Sequence, residues 1–289
     1  MDYILHIIIM LNIYIVLVLS ANLPIGMANL LSMCQAAFYG IGAYLSAFFL
    51  MQFDLPFVVI AAIVMFVTGL SSCVISLASV KLKGDYFILA SLGFQMIVYT
   101  VLYNWIDVTH GPYGITGIPV IRIMGIWNIG VWGYFVLTTF VSFLVIILFR
   151  NIKKSPYGRV LKAIRYDELS VKALGRNTAR FKSWAFFLSA AFSGLGGLIF
   201  ASYVNYIDPT SFTLDESIFI VSALFVGGVG NVKGPVLGAV FVVLLPEILR
   251  FVGMPDYLAA NMRQIIYGTA LILVMYFRPQ GLCGETILK

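Results

Sequence analysis

The residues best suited to specific recognition lie in one polar segment, 155–182, which reads SPYGRVLKAIRYDELSVKALGRNTARFK. Leu161 and Ile164 share a face if the first half of this segment is helical. The acidic pair Asp167 and Glu168 suits the positive start of a second short helix. Two short helices on a basic loop could form a docking surface for another protein. The segment could instead serve only as a charged anchor for membrane topology, and spacing alone leaves both hypotheses open.

Residue spacings typical of an enzyme or a metal site are missing from the sequence. The glycine-rich run 228–234 fits neither the GxGxxG fingerprint nor the GxxxxGK[ST] phosphate-binding loop. The histidines, His6 and His110, are far apart, and no nucleophile is paired with a base. The three cysteines have the spacing of neither a disulfide framework nor a metal site. We therefore expect no catalytic residue, no metal and no cofactor bound by this chain.

A second set of candidates consists of uncharged polar side chains and glycines inside apolar runs. Embedded polar residues often mark a transport pathway. Two glycine-rich interruptions, 26–42 and 227–238, occupy similar places in the two halves, as in transporters built from repeats. Hydrogen bonding between helices and close packing at small residues are the alternative explanation. The candidate pathway residues are Ser32, Gln35, Tyr39, Gly40, Gly42, Gln95, Gly227, Gly228 and Gly230.

These residues are carried by a strongly apolar chain, with 61% hydrophobic residues, 10% charged residues and a mean hydropathy of +1.00. A soluble domain has about 25% charged residues. Continuous apolar runs of about 20 residues predict transmembrane helices. The predicted fold is an all-α integral membrane protein, a polytopic bundle of about eight helices with glycine-broken spans in a single domain, 1–289. The predicted spans are 4–23, 30–51, 56–80, 86–105, 131–149, 184–204, the interrupted region 217–251 (two spans, or one span plus a half-helix) and 265–277.

The distribution of charge predicts the orientation of the chain. More than half of the 18 Lys and Arg residues lie between Arg150 and Lys182, which makes the 151–183 loop cytoplasmic under the positive-inside rule. The segments 105–130 and 205–216 then lie outside, and the second contains no Lys or Arg. This choice puts the N-terminus outside and the C-terminus in the cytoplasm. Because the net charge of +6 is concentrated in this loop, we expect no nucleic-acid partner.

Several ordered motifs resemble the permeases of ABC importers for branched-chain amino acids, the LivM-type family. They are AAFYGIGAY at 36–44, GRVLKAIR at 158–165 followed by acidic residues and ALG, GGVG and GPVLG between 227 and 238, and FRPQGL at 277–282. In this family the second motif opens the cytoplasmic coupling loop, which fits a cleft of the ATP-binding subunit. The resemblance implies that the coupling residues are Gly158, Arg159, Leu161, Ala163, Ile164, Arg165, Asp167, Glu168, Ala173, Leu174 and Gly175.

The resemblance also implies a function and a set of partners. It implies a multi-pass permease subunit in a bacterial or archaeal cell (inner) membrane that works by alternating access. ATP and Mg²⁺ would be used by separate ATP-binding subunits, so this chain would not be an enzyme. A sister permease, forming a heterodimer, and an extracytoplasmic substrate-binding protein complete the implied assembly in the lipid bilayer.

Three positions depart from the pattern of this family. Cys34-Gln35 stands where many relatives have Gly-His, Gln95-Met96 stands where an acidic residue is common, and Phe219 stands where Glu is common. Because embedded polar positions are usually functional, these changes leave open an importer of urea or short-chain amides. An ion-coupled secondary transporter is an alternative of a different class, which usually needs embedded carboxylates that the central spans do not clearly provide.

Overall fold

The computed structural model describes residues 2–53, 55–82, 84–123, 127–128 and 130–251, and beyond them residues 262, 265–266, 268–269, 272–273, 276–277 and 281–283. Most of these residues are helical, as the continuous apolar runs predict. The helices are α1 (Asp2–Asn22), which continues as a π-helix (Leu23–Met27), α2 (Gln35–Gln52), α3 (Phe57–Ser71), α4 (Cys73–Lys81), α5 (Asp85–Asn104), α6 (Ile106–Thr109), α7 (Val131–Lys154), α8 (Pro156–Tyr166), α9 (Glu168–Ala173), α10 (Thr178–Val204), α11 (Leu214–Gly227) and α12 (Lys233–Phe251).

Short strands connect the loops that follow α6 and α10. Strand β1 (Ile115–Thr116) follows a 3₁₀ turn, Gly111–Tyr113, and a hairpin is formed by β2 (Arg122–Ile123) and β3 (Trp127–Asn128). Strand β4 (Tyr206–Ile207) pairs antiparallel with β1 and precedes a second 3₁₀ turn, Pro209–Phe212. The β1–β4 pairing therefore holds two distant loops together at one end of the bundle.

The predicted polytopic helical bundle is confirmed. Among the residues that the structure describes, five helices are long and apolar enough to cross a bilayer: Asp2–Met27, Phe57–Lys81, Asp85–Asn104, Val131–Lys154 and Thr178–Val204. The interrupted region 217–251 contains two helices, and the first of them, α11, has 14 residues, fewer than the roughly 20 that a full crossing needs. In the predicted last span, 265–277, the described residues are helical, and the rest of that prediction lies outside the described residues.

Helix α10 is the central helix, and it packs mainly against α2 and α3. Glycines allow this close approach. A methyl group on Gly42 would overlap the backbone of Gly194, and one on Gly197 would come within 2.6 Å of the Ala43 nitrogen. Small residues of this kind let membrane helices come into backbone contact. The predicted pathway residue Gly42 therefore has a packing role in this structure.

Helices α7 and α10 extend beyond their predicted boundaries. Helix α10 begins at Thr178 rather than at residue 184, because Asn177 caps it by accepting from the Arg180 nitrogen at 3.2 Å. Helix α7 continues through Lys154 rather than ending at residue 149. Long basic side chains can extend from a buried helix end towards water. Hydropathy therefore underestimates the length of both helices.

The two ends of α1 lie at opposite ends of the bundle. Near its start, His6 Nδ1 lies 2.8 Å from the Tyr203 hydroxyl of α10, and Tyr3 donates to Glu247 of α12. Near its other end, Gly26 contacts Arg165 of α8. The N-terminus and the 151–183 loop are therefore on opposite sides of the bundle, an arrangement that the charge-based orientation requires.

Candidate functional site

The loop between α7 and α10 contains the two short helices that the sequence predicts. Ser155 caps α8 by accepting from the Gly158 nitrogen at 3.2 Å. Asp167 caps α9 by accepting from the Leu169 nitrogen at 2.9 Å. Gly175 follows α9 with φ of +76°, a conformation that glycine adopts without strain. Local capping therefore determines where both helices begin and where the second one ends.

Three of the predicted coupling residues form the inner frame of the loop. Gly158, Leu161 and Ile164 are all buried. A side chain on Gly158 would lie within 2.7 Å of the Lys153 carbonyl at the end of α7. These residues hold α8 against α7 and α10, and their role in coupling stays a prediction.

Glu168, which is partly buried, joins α9 to α10 through an ion pair with a buried lysine. Its carboxylate accepts from Lys182 Nζ at 2.7 Å and from the Thr178 hydroxyl at 3.0 Å, and Lys172 Nζ lies 2.9 Å away. The Lys182 side chain is 4% exposed. Burial raises the pKa of the Glu168 carboxyl, but the hydrogen bonds from Lys182, Lys172 and Thr178 and the charge of Lys182 outweigh burial and lower the pKa to about 2. Glu168 therefore stabilises the loop from inside.

This pairing predicts a specific acid sensitivity. Because the pKa of Glu168 falls from an ordinary 4.5 to about 2 on folding, its stabilisation is complete above pH 4.5 and is lost as the pH falls towards 2. When the pH is lowered below 4.5, the Tm of the purified chain in detergent should decrease. Glu168→Gln should lower the Tm at pH 7 and reduce that acid dependence, whereas Asp107→Asn, at an exposed site, should do neither. An unchanged acid slope in Glu168→Gln would contradict the assignment.

The outer side of the loop is an exposed surface, here called the docking face. Leu174 is 82% exposed and Leu169 is 67% exposed. Exposed apolar side chains grouped on a polar loop are typical of a protein contact. The sequence reasoning missed Tyr166 and Leu169, although the spacing 159, 163, 166 puts Tyr166 on one helix face with predicted residues. The docking face consists of Arg159, Ala163, Tyr166, Leu169, Ala173 and Leu174.

Arg165 was predicted as a coupling residue, and it points into the transmembrane domain. Its Nη1 donates to the Gly26 carbonyl at 2.6 Å. Gly26 lies in the π-helix that ends α1, and π-helical turns often occur at functional sites. A side chain on Gly26 would lie 2.8 Å from the Gly230 nitrogen. Arg165 therefore binds where the two glycine-rich interruptions meet, a place here called the junction (Leu23–Met27 with residues 228–232).

Asn22 joins the two halves of the junction. Its side chain accepts from the Gly230 nitrogen at 3.0 Å and donates to the Asn231 carbonyl at 2.7 Å. Gly228 and Gly230 have φ of +109° and +87°, so the turn needs glycine at both positions. The Asn22 side chain therefore connects the end of α1 to the turn between α11 and α12, and Gly26 lies too close to that turn to carry a side chain.

The C-terminal motif also reaches the junction. The Leu282 and Cys283 nitrogens donate to the carbonyls of Val226 and Gly227 at 3.0 and 2.9 Å. Residues 278–280 of this motif lie outside the described residues. The described part of the motif thus satisfies carbonyl groups at the end of α11, which have no partner within that helix.

The candidate pathway residues near α2 surround a helix start that lies inside the bundle. The Ala36 nitrogen donates to the Ser217 hydroxyl at 2.9 Å, and the Ala37 nitrogen donates to Gln95 Oε1 at 2.7 Å. Two other helices thus supply the acceptors that the first N–H groups of α2 lack within their own helix. Gln95 also donates to the Phe212 carbonyl at 2.9 Å.

Gln35 continues this polar cluster towards α10. It donates to Ser189 at 3.1 Å and accepts from Ser193 at 2.9 Å. Ser32, 2.9 Å from the Cys34 sulfur, is buried with the two glutamines. The spacing of Ser189 and Ser193, four residues apart in an apolar helix, is a signal that the sequence reasoning missed. In this conformation the polar atoms hold helices together, and their role in a pathway stays a prediction.

The other pathway candidates fall into two places. Tyr39 packs edge-on against Phe212 with ring centroids 5.0 Å apart, and a side chain on Gly40 would meet Phe212 at 3.0 Å. Gly227, Gly228 and Gly230 lie at the junction.

In the described part of the chain, no group of three His, Cys, Asp or Glu residues could hold a metal ion. What the loop provides is an exposed surface with a fixed connection to the transmembrane helices.

The sequence of the chain also matches a family of known proteins. Residues 3–275 match the family described as the permease component of branched-chain amino acid transport systems. The high-affinity branched-chain amino acid transport permeases LivM of Salmonella typhimurium and Escherichia coli K12 are each 31% identical over 95% of this chain and 68% of theirs. A probable LivM of Methanocaldococcus jannaschii is 29% identical over 79% of this chain and 67% of its own. No solved structure matches significantly. This chain therefore belongs to the family of permease components of branched-chain amino acid transport systems.

Proposed function

We propose that this chain is the transmembrane permease subunit of an ATP-driven ABC importer for branched-chain amino acids or closely related substrates. One observation carries the proposal. The loop between α7 and α10 has an exposed docking face, and its Arg165 is bound to the junction of α1, α11 and α12. A permease component is not itself an enzyme, so ATP and Mg²⁺ are used by separate ATP-binding subunits.

The geometry supports a mechanism of coupling. Closure of the ATP-binding subunits moves the docking face, and the Glu168–Lys182 pair makes α9 follow α10. Arg165 carries the displacement to Gly26 and so to the start of the α11–α12 turn. The ATP-binding subunits can shift the equilibrium between inward-open and outward-open states only by binding the two forms of the loop with different affinity.

The remaining parts of the assembly follow from the same proposal. ATP-binding subunits and a substrate-binding protein accompany permeases of this family in general, and we add a sister permease that forms a heterodimer with this chain. The basic loop and the C-terminus lie in the cytoplasm, and the N-terminus lies outside. Two observations support this orientation: the concentration of Lys and Arg between residues 150 and 182, and the position of the N-terminus at the opposite end of the bundle.

Co-purification tests the proposal. The tagged chain, extracted gently from its native membrane, should bring ATP-binding subunits and a second permease that mass spectrometry identifies. Leu174→Asp should reduce the recovered ATP-binding subunits roughly tenfold or more, because burying an unpaired carboxylate in an apolar contact is strongly unfavourable and about 1.4 kcal/mol corresponds to a tenfold change in affinity. Tyr113→Asp, at a side chain 84% exposed at the other end of the bundle, should leave recovery unchanged.

The outcomes separate the alternatives. A chain that purifies alone as a homo-oligomer contradicts the docking assignment, and uptake that follows an ion gradient without ATP identifies a secondary transporter. In proteoliposomes that contain the whole assembly, labelled leucine, isoleucine and valine should compete with one another for uptake. ATP-dependent uptake of urea or acetamide instead of these amino acids would support the importer assignment and change the assigned substrate.

A further inference from the structure

A cavity of about 340 Å³ lies where the first turn of α8 meets the first turns of α10. It is lined by Tyr157, Arg180, Phe181, Trp184 and Leu188. None of these residues belongs to the docking face, to the junction or to the polar cluster around α2. The cavity therefore has no part in the coupling path described above. It lies where the basic first turns of α10 give way to its apolar part.

The walls of the cavity are hydrocarbon. The ring of Tyr157 stacks on Phe181 with centroids 5.6 Å apart, and its hydroxyl donates to the Phe181 carbonyl at 3.0 Å. The polar atom of the tyrosine is thus bonded within the protein. Trp184 is 53% exposed and packs edge-on against Phe187. Water would solvate such walls poorly, so an apolar occupant is favoured.

Positive charge lies beside this apolar space. Arg180 is exposed in the first turn of α10, and its guanidinium is paired with no acidic side chain among the described residues. Lys153 and Lys154 close α7 at the same end of the bundle, directly before the turn that carries Tyr157. A basic pocket at the membrane boundary is the kind of site that binds phospholipid headgroups.

We propose that this cavity binds an anionic phospholipid of the surrounding bilayer, with its phosphate beside Arg180 and an acyl chain against Phe181, Trp184 and Leu188. A soluble anion would leave the apolar walls exposed to water. A neutral lipid would supply no net charge for Arg180. An anionic phospholipid satisfies both parts of the site. The site places this lipid in the cytoplasmic leaflet, and that assignment alone rests on the proposed orientation of the permease.

Trp184 provides the means to test this site. Of the four tryptophans, Trp105, Trp127 and Trp132 belong to the helix ends and loop at the opposite end of the bundle. The emission of Trp184 is therefore obtained as the difference between the full chain and its Trp184→Phe variant. The full chain is reconstituted in phosphatidylcholine vesicles that contain a small mole fraction of brominated phosphatidylglycerol or of brominated phosphatidylcholine.

Brominated phosphatidylglycerol should quench Trp184 at a mole fraction about fivefold lower than brominated phosphatidylcholine, the preference expected of one basic side chain. Arg180→Gln should remove this preference and Arg180→Lys should keep most of it. Arg176→Gln, which changes an exposed basic residue outside the cavity, should leave this preference unchanged.

Equal quenching by the two lipids, or no quenching, would overturn the proposal. Displacement by millimolar inorganic phosphate would identify a soluble-anion site instead. The measurement needs no ATP or partner subunit, so its result is independent of the proposed transport function.

Discussion

Replacing Arg165 by methionine is expected to reduce ATP-driven uptake roughly tenfold or more while membrane insertion and recovery of the ATP-binding subunits stay near normal. The guanidinium donates to the Gly26 carbonyl over 2.6 Å in a partly buried setting. A charge-assisted hydrogen bond contributes about 1.5–3 kcal/mol, and about 1.4 kcal/mol corresponds to a tenfold change in an equilibrium. Methionine keeps a long side chain but cannot donate, so the loop should move without moving the junction.

The measurement is the ratio of substrate transported to ATP hydrolysed by the reconstituted assembly. In Arg165→Met this ratio should fall because hydrolysis continues while uptake drops, and Arg165→Lys should restore part of it. Arg159→Met is the matched comparison on the docking face, where the same substitution should instead reduce recovery of the ATP-binding subunits. Normal uptake in Arg165→Met would show that the Gly26 contact is not used in coupling. Loss of the ATP-binding subunits would place Arg165 in the docking face.

Asn22 provides a second test of the same linkage. Because its side chain connects the π-helix to Gly230 and Asn231, Asn22→Ala should also lower uptake. The double variant with Arg165→Met should lose much less than the product of the two single losses, since residues in one network are not additive. Fully independent effects would mean that the two contacts belong to different parts of the mechanism.

The helices of the coupling loop could be predicted from the sequence because their ends depend on neighbouring residues. Ser155 with Pro156 begins α8, Asp167 begins α9, and Gly175 follows it, all within a few residues of the groups they satisfy. Apolar run length likewise predicts most of the transmembrane helices, because the bilayer sets the length that a span requires.

Long-range partners could not be predicted in this way. Arg165 and Gly26 are 139 positions apart, and nothing local to Arg165 indicates whether it faces the bundle or a partner subunit. Glu168 was predicted as a coupling residue from the family resemblance, but its partner Lys182 lies in the next helix and turns it inward. Hydropathy placed the start of α2 at residue 30, whereas the helix begins at Gln35. The acceptors that receive its first N–H groups come from α5 and α11, which no local pattern reveals.

The second large expected effect concerns Gly42, for which the sequence left a pathway role and a packing role open. Gly42→Val is expected to prevent formation of a stable, monodisperse chain. Any side chain there would overlap the backbone of Gly194, and neither backbone can rotate away as a flexible side chain could. Overpacking costs about 1–3 kcal/mol, occasionally more, where side chains can adjust. A clash between two helix backbones should cost at least that much and separate α2 from α10.

Gly93 is the matched control, because it lies exposed in the middle of α5 and a side chain added there would meet no atom within 4 Å. Gly93→Val should therefore give a wild-type yield, size-exclusion profile and Tm, whereas Gly42→Val should lose most of the monodisperse fraction. These readouts separate the two roles of Gly42, since a residue that only lines a pathway tolerates a larger side chain in the folded state and loses transport alone. A Gly42→Val chain that folds normally but does not transport would thus favour the pathway role. Loss of the folded chain would show that the contact between α2 and α10 is a condition for folding, and that any pathway must run elsewhere along these helices.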